Sequence, residues 1–185
     1  LVFDKSPADL GYTVVDYVYE GDRTTLTIPE KHGDYAVTTI AKDAFKNATS
    51  LQYLTLPKDL EHIEDYSFEN CVNLLRFTVH AENENYTALN GVLYKGDTLV
   101  AYPAGRMAVN FDLHLSPSTV TKIGVGAFAN ANLGSVDISD RISDIGDGAF
   151  DSRTIDNVVF HAGVPSSMGA TSNLFNENIN HIFVR

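Results

Sequence analysis

The sequence predicts a β-dominated α/β solenoid, one domain built by stacking short repeats. Three observations predict it. The pattern Ile-x-x-x-small-Phe occurs at Ile40–Phe45, Ile63–Phe68, Ile123–Phe128 and Ile145–Phe150. Linked positions travel with it: an aliphatic three residues before each Ile (Val37, Leu60, Val120, Ile142), and Asn47, Asn70, Asn130 or Ser152 two residues after each Phe. The third is the apolar set of Leu51–Cys71, at Leu51, Leu54, Leu56, Leu60, Ile63 and Phe68. Its first part alternates like a strand and the rest fits no single helix face. A segment this short cannot bury that set alone, but copies stacked on one another can.

Taken in order, residues 1–10 read as loose, punctuated by Ser6-Pro7. The β-forming runs Tyr12–Tyr19 and Thr24–Ile28 flank Gly21-Asp22 and read as an antiparallel hairpin covering the end of the stack. A polar loop, Pro29–Ala36, stretches the first repeat, and Leu51–Cys71 is the regular second. The third opens at Leu74–Val79 and then breaks pattern. Two β runs, Gly91–Tyr94 and Thr98–Tyr102, flank Lys95-Gly96-Asp97 as a hairpin. Repeats resume at Phe111–Leu115 and Val136–Ile138. Ile155–Phe160 opens a degraded unit and Ile179–Val184 closes the chain. The single domain of residues 1–185 thus divides into a hairpin cap (1–23), repeats (24–80), a hairpin insertion (81–110), repeats (111–161) and a C-terminal cap (162–185).

Alternation turns Leu-x-Leu inward and the intervening residues outward. Leu26–Ile28, Leu54–Leu56, Phe77–Val79, Leu113–Leu115, Val136–Ile138, Val158–Phe160 and Ile182–Val184 are therefore expected to form one parallel sheet of about 29 Å, at ~4.8 Å per gap. The Ala-Phe segments are too short for full helices and predict short 3₁₀ or α turns. Each Phe should plug the coil, and the following Asn should turn left-handed to end it. Leu54, Leu56, Leu60, Ile63, Phe68, Ile123, Phe128, Ile145 and Phe150 should share one continuous core.

The unit resembles the BspA-like leucine-rich repeat family, L-x-x-L-x-L-P-x-x-L-x-x-I-x-x-x-A-F-x-x-C, from about Gly11 to the last strand. It departs at the Cys column, where Ala48, Ala131 and Arg153 stand and only Cys71 keeps the thiol. Insertions with a G-V-L-Y run and a Y-P-A-G run, as at Gly91–Tyr94 and Tyr102–Gly105, recur in that family. The resemblance implies a right-handed leucine-rich repeat solenoid with its turns on the convex side. It also implies a secreted or surface-displayed bacterial protein linked to adhesion.

Composition narrows the function. A net charge of −11 opposes a nucleic-acid surface and anionic membrane. One cysteine permits neither an internal disulfide nor a Cys-based metal cluster. No apolar run reaches transmembrane length. The chain begins at Leu1, which reads as a processed or trimmed product with its signal peptide removed.

The outward residues are expected in two columns: Thr25, Tyr53, Arg76, Asp112, Ser135, Asn157, His181, and Thr27, Thr55, Thr78, His114, Asp137, Val159, Phe183. Leucine-rich repeats usually bind on this concave face. The candidate binding residues are Tyr53, Arg76, Thr78, Asp112, His114 and Asp137, with His114 expected beside Asp137 one strand away. His80, His114, His161 and His181 lie on or just past strands, but a flat row does not converge on a metal. Ser135 with His114 and Asp112 or Asp137 lacks a nucleophile elbow and an oxyanion loop, so no catalytic residue and no enzymatic activity are expected. Gly124–Gly126 and Gly146–Gly148 are repeat turns rather than phosphate loops. Cys71 should be a buried, inert thiol.

The expected function is a non-enzymatic module for protein–protein interaction or adhesion, extracellular or at the cell surface, without cofactor, metal, nucleic acid or membrane insertion. Its partner would be a protein, such as a host extracellular or cell-surface protein. A glycan-binding module using Tyr53, Tyr94, Tyr102 and His114, or a spacer in a larger surface protein, are the alternatives.

Overall fold

The computed structural model describes residues 1–5, 11–18, 23–152, 154–161, 163, 165–168 and 179–185. Each turn lays one strand in a front row and another, only two residues long in most turns, in a back row. The front row holds β3 (Thr25–Thr27), β6 (Tyr53–Leu56), β8 (Arg76–Val79), β12 (Ala108–Asp112), β14 (Asn132–Ile138), β16 (Thr154–Phe160) and β18 (Ile179–Val184). The back row holds β5 (Tyr35–Ile40), β7 (His62–Ile63), β11 (Thr98–Ala101), β13 (Lys122–Ile123), β15 (Asp144–Ile145) and β17 (Ser167–Met168). Hydrogen-bonded neighbours within each row run parallel. The molecule is a β-solenoid, and no α-helix occurs among the described residues.

The repeat period sets the register. Leu54 pairs with Phe77 and Val136 with Val158 in front; Ile40 pairs with Ile63 and Ile123 with Ile145 behind. Phe45, Phe128 and Phe150 are buried and Phe68 is half-buried. Their rings stack at 5.7 Å for Phe45–Phe68 and 5.3 Å for Phe128–Phe150. The Ala-Phe segments are hydrogen-bonded turns. As expected, Asn47, Asn70 and Asn130 are left-handed, at φ 63°, 58° and 60°. Three residues after each Ile a second left-handed residue bends the chain: Asp43, Tyr66, Gly126 or Gly148.

The break in the repeat is a third turn in altered form. β9 (Tyr86–Leu89), β10 (Val92–Lys95) and β11 make an antiparallel meander, and β11 also pairs with β13. Leu99 thereby fills the Ile slot, opposite Ile123. Tyr102 fills the Phe slot, its ring stacked 5.5 Å from Phe128.

This meander changes two expectations. The seven front strands do not form one sheet: they divide into β3-β6-β8 and β12-β14-β16-β18. The exposed edge of β8 is met instead by the insertion, with the Phe77 amide donating to Gly91 O (3.0 Å) and the Gly105 amide to Leu74 O (2.8 Å). The core likewise falls into two clusters. Leu54, Leu56 and Leu60, with Ile63 and Phe68 packed against them, lie in one; Ile123, Phe128, Ile145 and Phe150 lie in the other. Tyr86 and Leu93 of the meander join the first, and Val92, Tyr94 and Leu99 the second.

The strand after the insertion starts earlier than expected. It is Ala108–Asp112, and Leu113–Leu115 is a 3₁₀ turn at its end. Phe111 sets this register by wedging against Tyr102 (5.0 Å) and Phe128 (5.7 Å). Leu113 is buried and Leu115 is 75% exposed.

The amino-terminal hairpin also differs. β1 (Val2–Lys5) pairs antiparallel with β2 (Tyr12–Asp16), β2 runs parallel to β5, and Thr25–Thr27 pairs with β6. A short strand, β4 (Lys31–His32), folds back on β5. The expected punctuation at Ser6-Pro7 and Gly21-Asp22, and Arg153 of the Cys column, lie outside the described residues.

Candidate interaction face

The outward residues of the front row form two groups, one on each sheet. On the first sheet the strand register sets Tyr53 between Thr25 and Arg76, and Thr55 between Thr27 and Thr78. Tyr53 is 42% exposed, and Arg76 and Thr78 are exposed. Tyr53, Leu75 and Arg76 line a shallow groove of about 540 Å³ with Asn90 and Arg106 from the insertion. The left-handed turn at Asn90 (φ 52°) and Gly91 (φ 85°) builds its far wall. A Cβ on Gly91 would lie 3.2 Å from Arg76 Cγ, so the Arg76 stem packs on bare backbone. Arg106 Nη1 donates to Asn90 O. Arg76 has no ion-pair partner among the described residues.

The second group is acidic and imidazole-rich. Asp112 pairs across the sheet with Asp137. Asp112 Oδ1 accepts from the His114 amide at 2.8 Å and lies 2.8 Å from His114 Nδ1. Asp137 Oδ1 lies 2.9 Å from His161 Nε2. The two imidazoles meet edge to face, with centroids 5.2 Å apart and planes at 81°. Partial burial works to raise the Asp112 pKa, but the His114 amide and imidazole outweigh it and hold the carboxyl below its ordinary value.

The structure therefore keeps Tyr53, Arg76 and Thr78 together, and separately Asp112, His114 and Asp137. Two placements are corrected. Asp112 shares a row with Asp137 and Val159, and Asn110 takes the place beside Ser135. His114 is on the 3₁₀ turn, bonded to Asp112, and His161 is the imidazole that meets Asp137. His161 therefore belongs to the site, although the expected columns do not include it. Its signal was present: His161 follows Val159 by two residues, and Val159 pairs with Asp137.

Other candidates resolve simply. Ser135 Oγ contacts Asp137 Oδ2 at 3.5 Å and has no histidine partner among the described residues. No group of three or more His, Cys, Asp or Glu side chains converges for a metal among the described residues. Tyr94 and Tyr102, considered as sugar platforms, are 2% and 3% exposed. Cys71 is buried, its Sγ 3.0 Å from Phe45 O, and burial pushes its thiol pKa up to about 12. No helix among the described residues is long and apolar enough to cross a membrane.

Comparison with known proteins agrees with this geometry. The profile of the BspA type Leucine rich repeat region matches residues 16–92 and 110–184, in 6 copies. No curated protein sequence matches the chain. Among solved structures, a leucine-rich repeat protein from Eubacterium ventriosum superposes with a TM-score of 0.70 at 29% identity, over 84% of this chain. This chain spans only 40% of that protein. The T. pallidum leucine rich repeat protein follows at TM-score 0.57 and 20% identity, covering 91% of this chain and 82% of that one. The pneumococcal vaccine antigen PcpA gives 0.55 and 12%, covering 95% and 60%. With six repeat matches over most of its length, and Ile and Phe slots filled as the repeat requires, the chain belongs to the BspA-type leucine-rich repeat family.

Proposed function

We propose that this chain is a non-enzymatic interaction module that binds a protein through its front face. The observation that carries the reading is the pair Tyr53 and Arg76, side by side on hydrogen-bonded strands, exposed, with no carboxylate of the described chain neutralising the guanidinium. Tyr and Arg are the side chains most often dominant in protein interfaces. They stand on rigid strands and lose little entropy on docking. In a protein of net charge −11, the Arg76–Arg106 groove is a local reversal of sign. Beyond it, Asp112, His114, Asp137 and His161 present the opposite character, so the face is suited to a partner with its own acidic and basic ends.

Membership of the family supports placing the module in a secreted or surface-attached bacterial protein with a role in adhesion, and a host extracellular or cell-surface protein as its partner. A glycan-binding role is the second reading. It keeps Tyr53 and His114 but has lost Tyr94 and Tyr102 to the core. A spacer role in a longer surface protein is the third.

Binding of the purified chain to a panel of matrix proteins and to a glycan array tests the proposal. Saturable binding to a protein in the absence of sugar binding is the expected result. Binding to defined sugars with no protein partner would replace the first reading by the second. Silence on both panels would favour the spacer.

A further inference from the structure

The shortened third turn leaves a cavity on the back of the molecule. Phe68 follows Ile63 by five positions, but Tyr102 follows Leu99 by three. Elsewhere the amide at the Phe slot bonds across to the next turn, as Phe45 does to Ser67 O and Phe128 to Ala149 O. Among the described residues Phe68 has no such bond to Ala101, its counterpart in the short turn. The space between the two turns amounts to about 190 Å³.

The lining of this space is graded. Phe77, Tyr86, Tyr102 and Ala104 are buried, and half-buried Phe68 and Ala101 continue the apolar wall. Asp65 is exposed at the mouth, near half-buried Tyr66 and Glu69. The Tyr66 ring lies on Gly126, where a Cβ would come within 2.8 Å of it. Burial raises the Tyr66 hydroxyl pKa, and Asp151, Asp65, Asp147 and Glu69 raise it further, so the potential here is negative. Glu69 pairs with Lys46 at 2.8 Å, and Asp65 has no partner among the described residues. The one lysine of the lining, Lys95, donates to Glu61 O at 2.6 Å and lies 5.0 Å from the centre of the Tyr86 ring. His62 is exposed on the same rim.

Size and chemistry select a ligand class. An apolar cavity of about 150 Å³ accepts benzene, so this one has room for a ring and a short chain. Aromatic walls favour a ring at offset or edge contacts. The carboxylates, with the Tyr66 face beside them, favour a cation at the open end. We propose that this cavity binds a small aromatic amine, with its ring against Phe68 and Tyr102 and its ammonium directed to Asp65 and Glu69.

The test is titration of the whole chain, by calorimetry and by methyl-resolved NMR, with phenethylamine, 2-phenylethanol and 3-phenylpropionate. The amine should bind in the millimolar range or better, roughly three- to tenfold tighter than the alcohol, as one or two partly exposed ion pairs would give. The carboxylate should bind weakest. Asp65→Asn should bring the amine down toward the alcohol and leave the alcohol unchanged. Ala101→Leu should abolish binding of all three with the thermal transition retained. If that variant does not fold, contacts from the ligand ring to the Ala101 and Ala104 methyls of the unaltered protein decide the matter. No binding, equal affinity for the carboxylate, or ligand contacts away from these methyls would overturn the proposal.

Discussion

The Tyr102 amide donates to Ala127 O at 2.7 Å, the bond that Phe128 makes to Ala149 O at 2.8 Å one turn later. Tyr102 is thus the phenylalanine of a turn that carries no Ile-x-x-x-Ala-Phe. Its ring contacts Phe111 and Phe128, and its hydroxyl donates to Arg106 O at 3.1 Å. Tyr102→Ala should lower stability by ~3–5 kcal/mol, as for other large buried aromatics. Tyr102→Phe keeps the ring and should cost about 1 kcal/mol for the lost hydrogen bond. Urea unfolding of both variants measures the difference.

Gly105 is the close contact that ties the insertion to the first stack. A Cβ there would stand 2.3 Å from the Asn73 carbonyl carbon and 2.6 Å from its Cα, both backbone atoms that cannot rotate away. Gly105→Ala should therefore destabilise by ~1–3 kcal/mol, the range for overpacking. Hydrogen exchange at the Phe77 amide, which bonds to Gly91 O, should speed up in that variant. Unchanged exchange there would show that the seam relaxes without opening.

Cys71 supplies a pH-dependent test of burial. The folded thiol keeps its proton to about 12, whereas an unfolded cysteine loses it near ~8.5. Above that lower value the unfolded chain binds fewer protons than the folded one. The stability tied to Cys71 is then complete below pH ~8.5 and declines as pH rises toward about 12. Cys71→Ala, which installs the residue found at Ala48 and Ala131, should flatten this alkaline decline. At pH 8, alkylation of Cys71 should be slow in the folded protein and accelerate with urea in step with global opening.

The repeat was legible because its slots are chemically narrow. In four of the back turns Ile, a small residue and Phe fill three linked positions at one spacing, so these copies marked the coil and the left-handed asparagines with it. The third turn was not, because Leu99 and Tyr102 fill the same slots at a spacing two residues shorter. The fourth front strand was misread for a related reason. Leu113 and Leu115 imitate the alternation of Leu54 and Leu56, while the ring that sets the register, Phe111, is held by Tyr102 through a contact that no local pattern announces. Val2–Lys5 pairs with β2 as a mostly exposed edge strand and shows no apolar alternation to betray it. For the site, the constant step between Tyr53 and Arg76 put them side by side from the sequence alone. The pairing of His161 with Asp137 depended on His114 leaving the sheet, which the misread register concealed.

On the proposed function the front face, rather than the insertion, makes the contact. Deleting the insertion is no test, because Tyr86, Tyr94 and Tyr102 are core residues. The direct measurement is the affinity of two surface variants for whichever panel protein binds the unaltered chain. One is Arg76→Ala with His114→Ala on the front face; the other is Thr87→Ala with Leu89→Ala on the exposed side of the insertion. The front-face pair should weaken binding by ~1–3 kcal/mol and the insertion pair should leave it unchanged. Undiminished affinity in the first with loss in the second would move the contact from the front face to the insertion.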